Sequence, residues 1–452
     1  MELKELSDCG VRPGTLTLWR PVAARASSWA DDERAPAHAH EAHLRAASGA
    51  GPTWVGSSFR LGKASQDEIA EVLRRWVARH ETLRSLLRVE RDGQWCRWTL
   101  PGSGVRVRAI GPRRIYDGEA VRRRIEAFFD RATPPDAWPN TAFATVADAE
   151  GVTVYFAGDH GHLDGYSVLV VASEVRALLA NLRDPSVPVP APSASYLDFG
   201  PDERAGVEGL AAEHDTVLRW REFLDSTGGT CPGFPGRLNA TAEVRQGNDY
   251  RWLLDGDQAD AFGAAARDAG VTTPAGLLTC LGLAVREHTG RAETAVLTLA
   301  HTRTNPRWHS SFGWFVGVSP LRFTLAPGAG FAGAARDVAV ALDRYAGMAS
   351  VPVPVVERLL GASIRPRFVV SYMDIRRMPG ADEWAACDNR MLRSGVTASD
   401  EVYVWITRSR RGLHLSARFP GTARDAVRPF IDRFADTVGA LAATRELVPV
   451  TV

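Results

Sequence analysis

Phe156-Ala-Gly-Asp-His-Gly-His-Leu-Asp-Gly-Tyr-Ser167 places an imidazole and a carboxylate four residues apart, where the β-branched run Val152 to Phe156 gives way to the helical run Val168 to Leu182. A side chain at a strand-to-turn junction is held by a sheet yet open to a cleft, and an imidazole titrates near neutral pH. Two readings of these residues stand side by side. In one, His160 removes a proton from a hydroxyl or amine that attacks an activated acyl carbon; both substrates are bound together and no covalent enzyme intermediate is needed. Asp164-Gly165 is then the turn that fixes the ring. In the other, His160 is a structural histidine and Asp164 the N-cap of the helix that follows.

Working outward, Ser65-Gln-Asp-Glu68 reads as a capping box for a helix carrying Ile69, Val72, Leu73, Trp76 and Val77 at helical spacing, with Arg79-His-Glu-Thr-Leu-Arg-Ser85 at its end. Val121, Ile125, Phe128 and Phe129 mark a second amphipathic helix, and Trp76 and Trp220 fall in core patterns. Prolines 185, 188, 190 and 192 exclude a helix and favour an extended connector, so a boundary is expected near residue 205, giving halves 1–205 and 206–452. In the second half, Thr273-Pro274 starts a helix that Gly290 ends, and Ala295 to Leu299 reads as a strand. Val402 to Ile406 and Leu413 to Phe419 form a hairpin around Arg408-Ser-Arg-Arg-Gly412, and Ala423 to Ala443 is a closing helix. Two mixed α/β (α+β) halves result.

At 452 residues with 45% hydrophobic and 24% charged residues, the composition is globular and two domains are expected. Fifty-four basic against 53 acidic residues leave a formal charge of +1, so no global field draws nucleic acid or an anionic membrane. Five single cysteines without a Cys-x-x-Cys pair argue against a disulfide scaffold or a thiolate zinc site. A cytoplasmic protein is expected, with no secretory signal and no apolar run long enough to span a bilayer. His38, His40 and His43 stand in an alanine-rich polar stretch without a thiolate or carboxylate pattern; a solvated segment is expected there, not a metal site. Arg122-Arg-Arg124, Arg376-Arg377 and Arg408 with Arg410-Arg411 read as solvated faces or as contacts for a phosphopantetheine or nucleotide phosphate. No phosphate loop, nucleophile elbow or dinucleotide fingerprint occurs, so neither cofactor nor metal is expected.

Asp159-His-Gly-His-Leu-Asp-Gly165 resembles the His-His-x-x-x-Asp-Gly motif of the condensation-domain superfamily, with His160 at the second histidine and Asp159 at the first. Arg79-His-Glu-Thr-Leu-Arg84 resembles its Arg-His-Glu-x-Leu-Arg signature, and Phe312-Gly-Trp-Phe-Val-Gly-Val-Ser-Pro-Leu-Arg322 is similar to its Gly-x-Phe-x-x-x-x-Pro-x-Arg segment. Phe368-Val-Val-Ser-Tyr-Met-Asp374 resembles a late strand of the free-standing polyketide-associated acyltransferases.

The resemblance implies two chloramphenicol-acetyltransferase-like halves forming a V-shaped pseudo-dimer around a central tunnel. It implies an acyltransferase that takes its acyl group from coenzyme A or an acyl carrier protein, a phosphopantetheine thioester in either case, and passes it to an alcohol or amine. His160 is then the general base and Asp164 the loop anchor, with Asp159 and Gly165 as supports. Arg303, in Thr302-Arg-Thr-Asn-Pro306, is either the ion-pair partner of Asp164 or a surface arginine. His162, Tyr166, Ser167, Trp314, Phe315, Ser371 and Tyr372 are expected near the tunnel, and a monomer is expected. The missing first histidine keeps a catalytically inactive recruitment module as a rival, beside a nonribosomal-peptide condensation enzyme.

Overall fold

In a computed structural model, residues 2–25, 27–46, 51–90, 92–238 and 242–444 are described. The first half is built on a seven-stranded sheet whose strand order is Leu3–Glu5, Arg390–Arg393, Trp54–Gly62, Gly151–Asp159, Thr141–Asp148, Gly14–Ala23 and Val105–Ile115. The strand Gly151–Asp159 is central, and its apolar run has no polar face because both sides are covered. Val154 and Phe156 pack with helices Gln66–Arg79 and Gly165–Arg183, whereas Tyr155 and Ala157 pack with helix Gly118–Ala132. The capping box forms as read: Ser65 Oγ accepts from the Glu68 amide, and the Glu68 carboxylate accepts from the Ser65 amide. Helix Gly165–Arg183 is long and apolar enough to cross a bilayer by length and composition, but it carries Glu174 and packs its apolar face into this core.

The second half repeats the scheme, with strand order Val316–Thr324, Glu293–His301, Phe368–Asp374, Val402–Ser409, Gly412–Pro420, Val244–Asp255 and Thr397–Ala398. Helices Gly256–Asp268, Thr273–Thr289 and Arg424–Thr444 share its core. Thr272 caps the helix at Thr273, Pro274 sits in its first turn, and Gly290 ends it in the left-handed conformation. The hairpin Val402–Ser409 to Gly412–Pro420 is paired in register. Two mixed α/β halves therefore stand on separate cores, with the Gln66–Arg79 and Thr273–Thr289 helices one in each.

The halves are also interlaced. Arg390–Arg393, late in the chain, lies between Leu3–Glu5 and Trp54–Gly62 in the first sheet. Phe312 inserts among Trp76, His80 and Phe156 of the first core at ring distances of 5.3, 4.6 and 6.5 Å. The proline-rich connector is clamped by the Arg79-His-Glu segment. Arg79 donates to the carbonyls of Pro190 and Ala191, Ser195 Oγ donates to Glu81 at 2.6 Å, and His80 Nε2 donates to Glu174 at 2.6 Å. That segment ties the connector to the first core.

Candidate active site

The strand Gly151–Asp159 ends in a single 3-10 turn, His160–His162, and helix Gly165–Arg183 begins at once. Each junction is capped by a carboxylate. Asp159 accepts from the Gly161 amide at 2.9 Å, and Asp164 accepts from the Ser167 amide at 2.8 Å and the Ser167 hydroxyl at 2.9 Å. The N-cap reading of Asp164 is thus correct, yet it does not exhaust the residue. Arg303 from the second half reaches Asp164 with both terminal nitrogens, at 2.7 and 3.1 Å, and both side chains are buried. The Phe315 amide donates to the same carboxylate at 3.0 Å. Burial pushes the Asp164 carboxyl up, but Arg303 and the two amides outweigh it and hold the group below the ordinary carboxylate range. The loop is therefore pinned from both sides of the seam.

His160 is only partly covered, unlike Asp159, His162 and Asp164 around it. Its amide donates to the Thr53 carbonyl at 3.1 Å, and its ring leans on Trp314 with centroids 4.7 Å apart. Burial lowers its pKa below the ordinary histidine value, so the free base prevails at neutral pH. His162 is fully buried, 3.5 Å from Asp159 and edge-on to His40 at 4.7 Å, with its own pKa lowered by burial. It supports the loop from below.

The solvated segment expected at His38, His40 and His43 is overturned. Residues His38–Ala46 form a helix whose face, repeating at three residues, brings His40 and His43 onto the loop. His40 is buried against His162 and Tyr196, and His43 Nε2 lies 3.0 and 3.1 Å from the two oxygens of Asp159. Thr53 Oγ1 adds a hydrogen bond to Asp159 at 2.8 Å. Burial pushes the Asp159 carboxyl up, and the imidazoles of His162 and His43 more than offset it, so it stays ionised. The i, i+3 spacing of His40 and His43 was the available signal; the alanine-rich context hid it. Among the described residues no group of three or more His, Cys, Asp or Glu is arranged to hold a metal ion.

The other expected tunnel residues divide. Trp314 touches both His160 and His43. Tyr166 lies under the Arg303 guanidinium at 4.5 Å, half-buried. Phe315 and Ser167 are corrected from lining to framework. Phe315 is wholly buried beside the Arg303 guanidinium, at 4.3 Å, and Ser167 Oγ accepts from the Gly313 amide at 3.0 Å. Ser371 and Tyr372 lie on strand Phe368–Asp374; Tyr372 packs on the second core, and its neighbour Met373 stands near Gly165 together with Met391. The arginine runs are mostly neutralised: Arg122 pairs with Glu119 and Glu126, Arg376 with Asp374, buried Arg408 with Asp260, and Arg410 with Asp382.

Known proteins resemble this chain over most of its length. The family profile of the condensation domain matches residues 58–363. Acyltransferase PapA3 of Mycobacterium tuberculosis (strain CDC 1551 / Oshkosh) is 27% identical over 370 residues, 80% of this chain and 77% of the relative. The 2'-acyl-2-O-sulfo-trehalose (hydroxy)phthioceranyltransferase PapA1 of Mycobacterium bovis (strain BCG / Pasteur 1173P2) is 25% identical over 389 residues, 83% of this chain and 74% of the relative. Among solved structures, a PapA2 acyl transferase superposes with a TM-score of 0.86 at 22% identity, over 98% of this chain and 100% of that one. The first condensation domain of the calcium-dependent antibiotic synthetase superposes at 0.68 with 18% identity, over 91% and 96%. The chain belongs to the condensation-domain family and is an acyltransferase, with Pap-type acyltransferases among its relatives.

Proposed function

We propose that this acyltransferase takes an acyl group from a thioester, on coenzyme A or a carrier protein, and delivers it to a hydroxyl of a sugar-like acceptor, with His160 as general base. The observation that carries the reading is a partly buried imidazole, kept in its neutral form, on a loop immobilised by a buried ion pair. The acceptor hydroxyl gives its proton to His160 as its oxygen bonds to the thioester carbon. The carbonyl electrons move to oxygen, return, and break the C–S bond; the thiolate leaves and takes the proton from the imidazolium. Holding both substrates against one base replaces a covalent intermediate. An alcohol is favoured over an amine because relatives are named for acylated sulfo-trehalose and trehalose-2-sulfate.

The test is mass spectrometry of the purified protein with palmitoyl-CoA and trehalose, and in parallel with an amine panel. An O-acyl sugar that requires the thioester is expected. Product from free palmitate and ATP would refute the donor, an exclusively amide product would move the chain to the peptide-forming reading, and activity that persists in His160→Ala would remove the assigned base.

A further inference from the structure

The motif position that carries a histidine in the family carries Asp159 here, and a carboxylate buried at the end of a strand needs a partner. His43 supplies it from another element. Asp159 is ionised and can only accept, so the His43 Nε2 carries the shared hydrogen, while its Nδ1 makes no hydrogen bond among the described residues. The His43 side chain is 12% exposed against none for Asp159, so the dyad has an open end.

Two further features single out this arrangement. A Cβ on Gly161, the residue after His160, would stand 2.8 Å from His43 Cδ2, 3.0 Å from His40 Cδ2 and 2.9 Å from Asp159 Oδ1. The loop thus has a bare backbone where the two imidazoles of the helix rest. Trp314 in turn is shared: its ring meets His43 edge-on at 5.5 Å and His160 at 4.7 Å. Helix, loop and the second half converge on one indole.

We propose that His43, anchored by Asp159, is a positioning residue of the active centre, supplying from a separate helix the imidazole that the motif lacks at position 159 and orienting His160 through Trp314. The inference rests on the reading of His160 as base. The charged and titratable groups around His160 are Asp159 and His162 on its own loop, Asp164 beyond them, His43 on the helix, and Arg303 on Asp164 from the second half. His43 opposes protonation of His160, whereas Asp159 and Asp164 favour it. Replacing the His43 imidazole by a neutral amide removes that opposition while Asp159 and Asp164 remain, which makes His160 easier to protonate.

Site-resolved carbethoxylation by diethylpyrocarbonate reads this without any substrate, because only the neutral imidazole reacts. In full-length His43→Gln, which keeps a donor for Asp159, the pH dependence of His160 modification should move up by about half a unit, a roughly threefold lower rate on the acid side. The thermal midpoint should stay near that of the unmodified chain. An unchanged His160 titration in a folded His43→Gln overturns the proposal. A second measurement uses palmitoyl-CoA turnover in His43→Asp, Asp159→His and the double exchange, which rebuilds the pair with its members reversed. The exchange should recover about tenfold over the poorer single variant, within the coupling range of residues in contact. A folded exchange no more active than that single variant also overturns it, and should the exchange not fold, the His43→Gln titration decides. Turnover that survives His160→Ala would instead defeat the base assignment, a distinct result.

Discussion

His160 and Asp164 sit four residues apart on one loop, and their environments give them different work. His160 is partly buried, has no carboxylate partner among the described residues and is held neutral by burial; Asp164 is buried, ionised and bound by Arg303 and two amides. General-base catalysis contributes about two to four orders of magnitude, so His160→Ala should lose that much turnover with an unchanged melting curve. The acid limb of kcat/KM should fall below the ordinary histidine value of about 6.5, because the shift is downward. Arg303→Met leaves a buried carboxylate unpaired, which costs about 3–5 kcal/mol in urea denaturation at pH 7. The pH dependence has a definite sign. With a depressed pKa in the folded chain, Asp164 contributes stability above the ordinary aspartate value and loses it as pH falls through the folded value. In Arg303→Met the unpaired carboxyl is easier to protonate, so the deficit against the parent protein should shrink on acidification from pH 7 to about 4.5.

At the scale of elements, the site is where one strand end, one helix start, one face of the His38–Ala46 helix and one segment of the second half meet. Gly161 is needed for contact and not for backbone freedom, since a side chain there would collide with His43 and His40. Gly161→Ala should cost about 1–3 kcal/mol of overpacking and should impair turnover by pushing the His38–Ala46 helix off the loop. Thermal denaturation together with turnover on palmitoyl-CoA checks both. Phe312 is the apolar counterpart of Arg303: both leave the second half to be buried in the first, one as a ring among rings, the other as a charge on Asp164. Phe312→Ala should cost about 3–5 kcal/mol in chemical denaturation, the usual price of truncating a fully packed phenylalanine.

For the whole molecule, the two cores are not two independent units. The first sheet takes Arg390–Arg393 between Leu3–Glu5 and Trp54–Gly62, and buried Arg393 lies 3.1 Å from Glu5. A fragment of residues 1–205 would lack that strand, Phe312 and Arg303, exposing an open sheet edge and an unpaired Asp164. Expressed alone, it should show no cooperative unfolding transition, whereas the full chain should; circular dichroism during a thermal ramp distinguishes the two. Cutting the exposed proline connector in the folded protein should not release the halves, because the exchanged strand and the seam still hold them.

Local pattern was enough to read much of this protein from its amino acids alone. The capping box at Ser65, the Thr273-Pro274 helix start, the Gly290 stop and the hairpin of Val402 to Ile406 with Leu413 to Phe419 all follow from interactions among residues a few positions apart, which sequence spacing encodes directly. The strand-to-helix junction at His160 was legible for the same reason, and the order of the motifs implied the family. Tertiary structure decided what depends on distant partners. His43 faces Asp159 across 116 residues and Arg303 faces Asp164 across 139, and nothing in the local composition of the His38–Ala46 stretch marks it as part of a site. Phe315, Ser167 and Tyr372 lie in or beside the recognised motifs, yet whether such a side chain meets a cleft or a core is settled by what packs over it. The crossing of Arg390–Arg393 into the first sheet is of the same kind: a four-residue strand carries no address, and its place is set by the open edge that pairs with it.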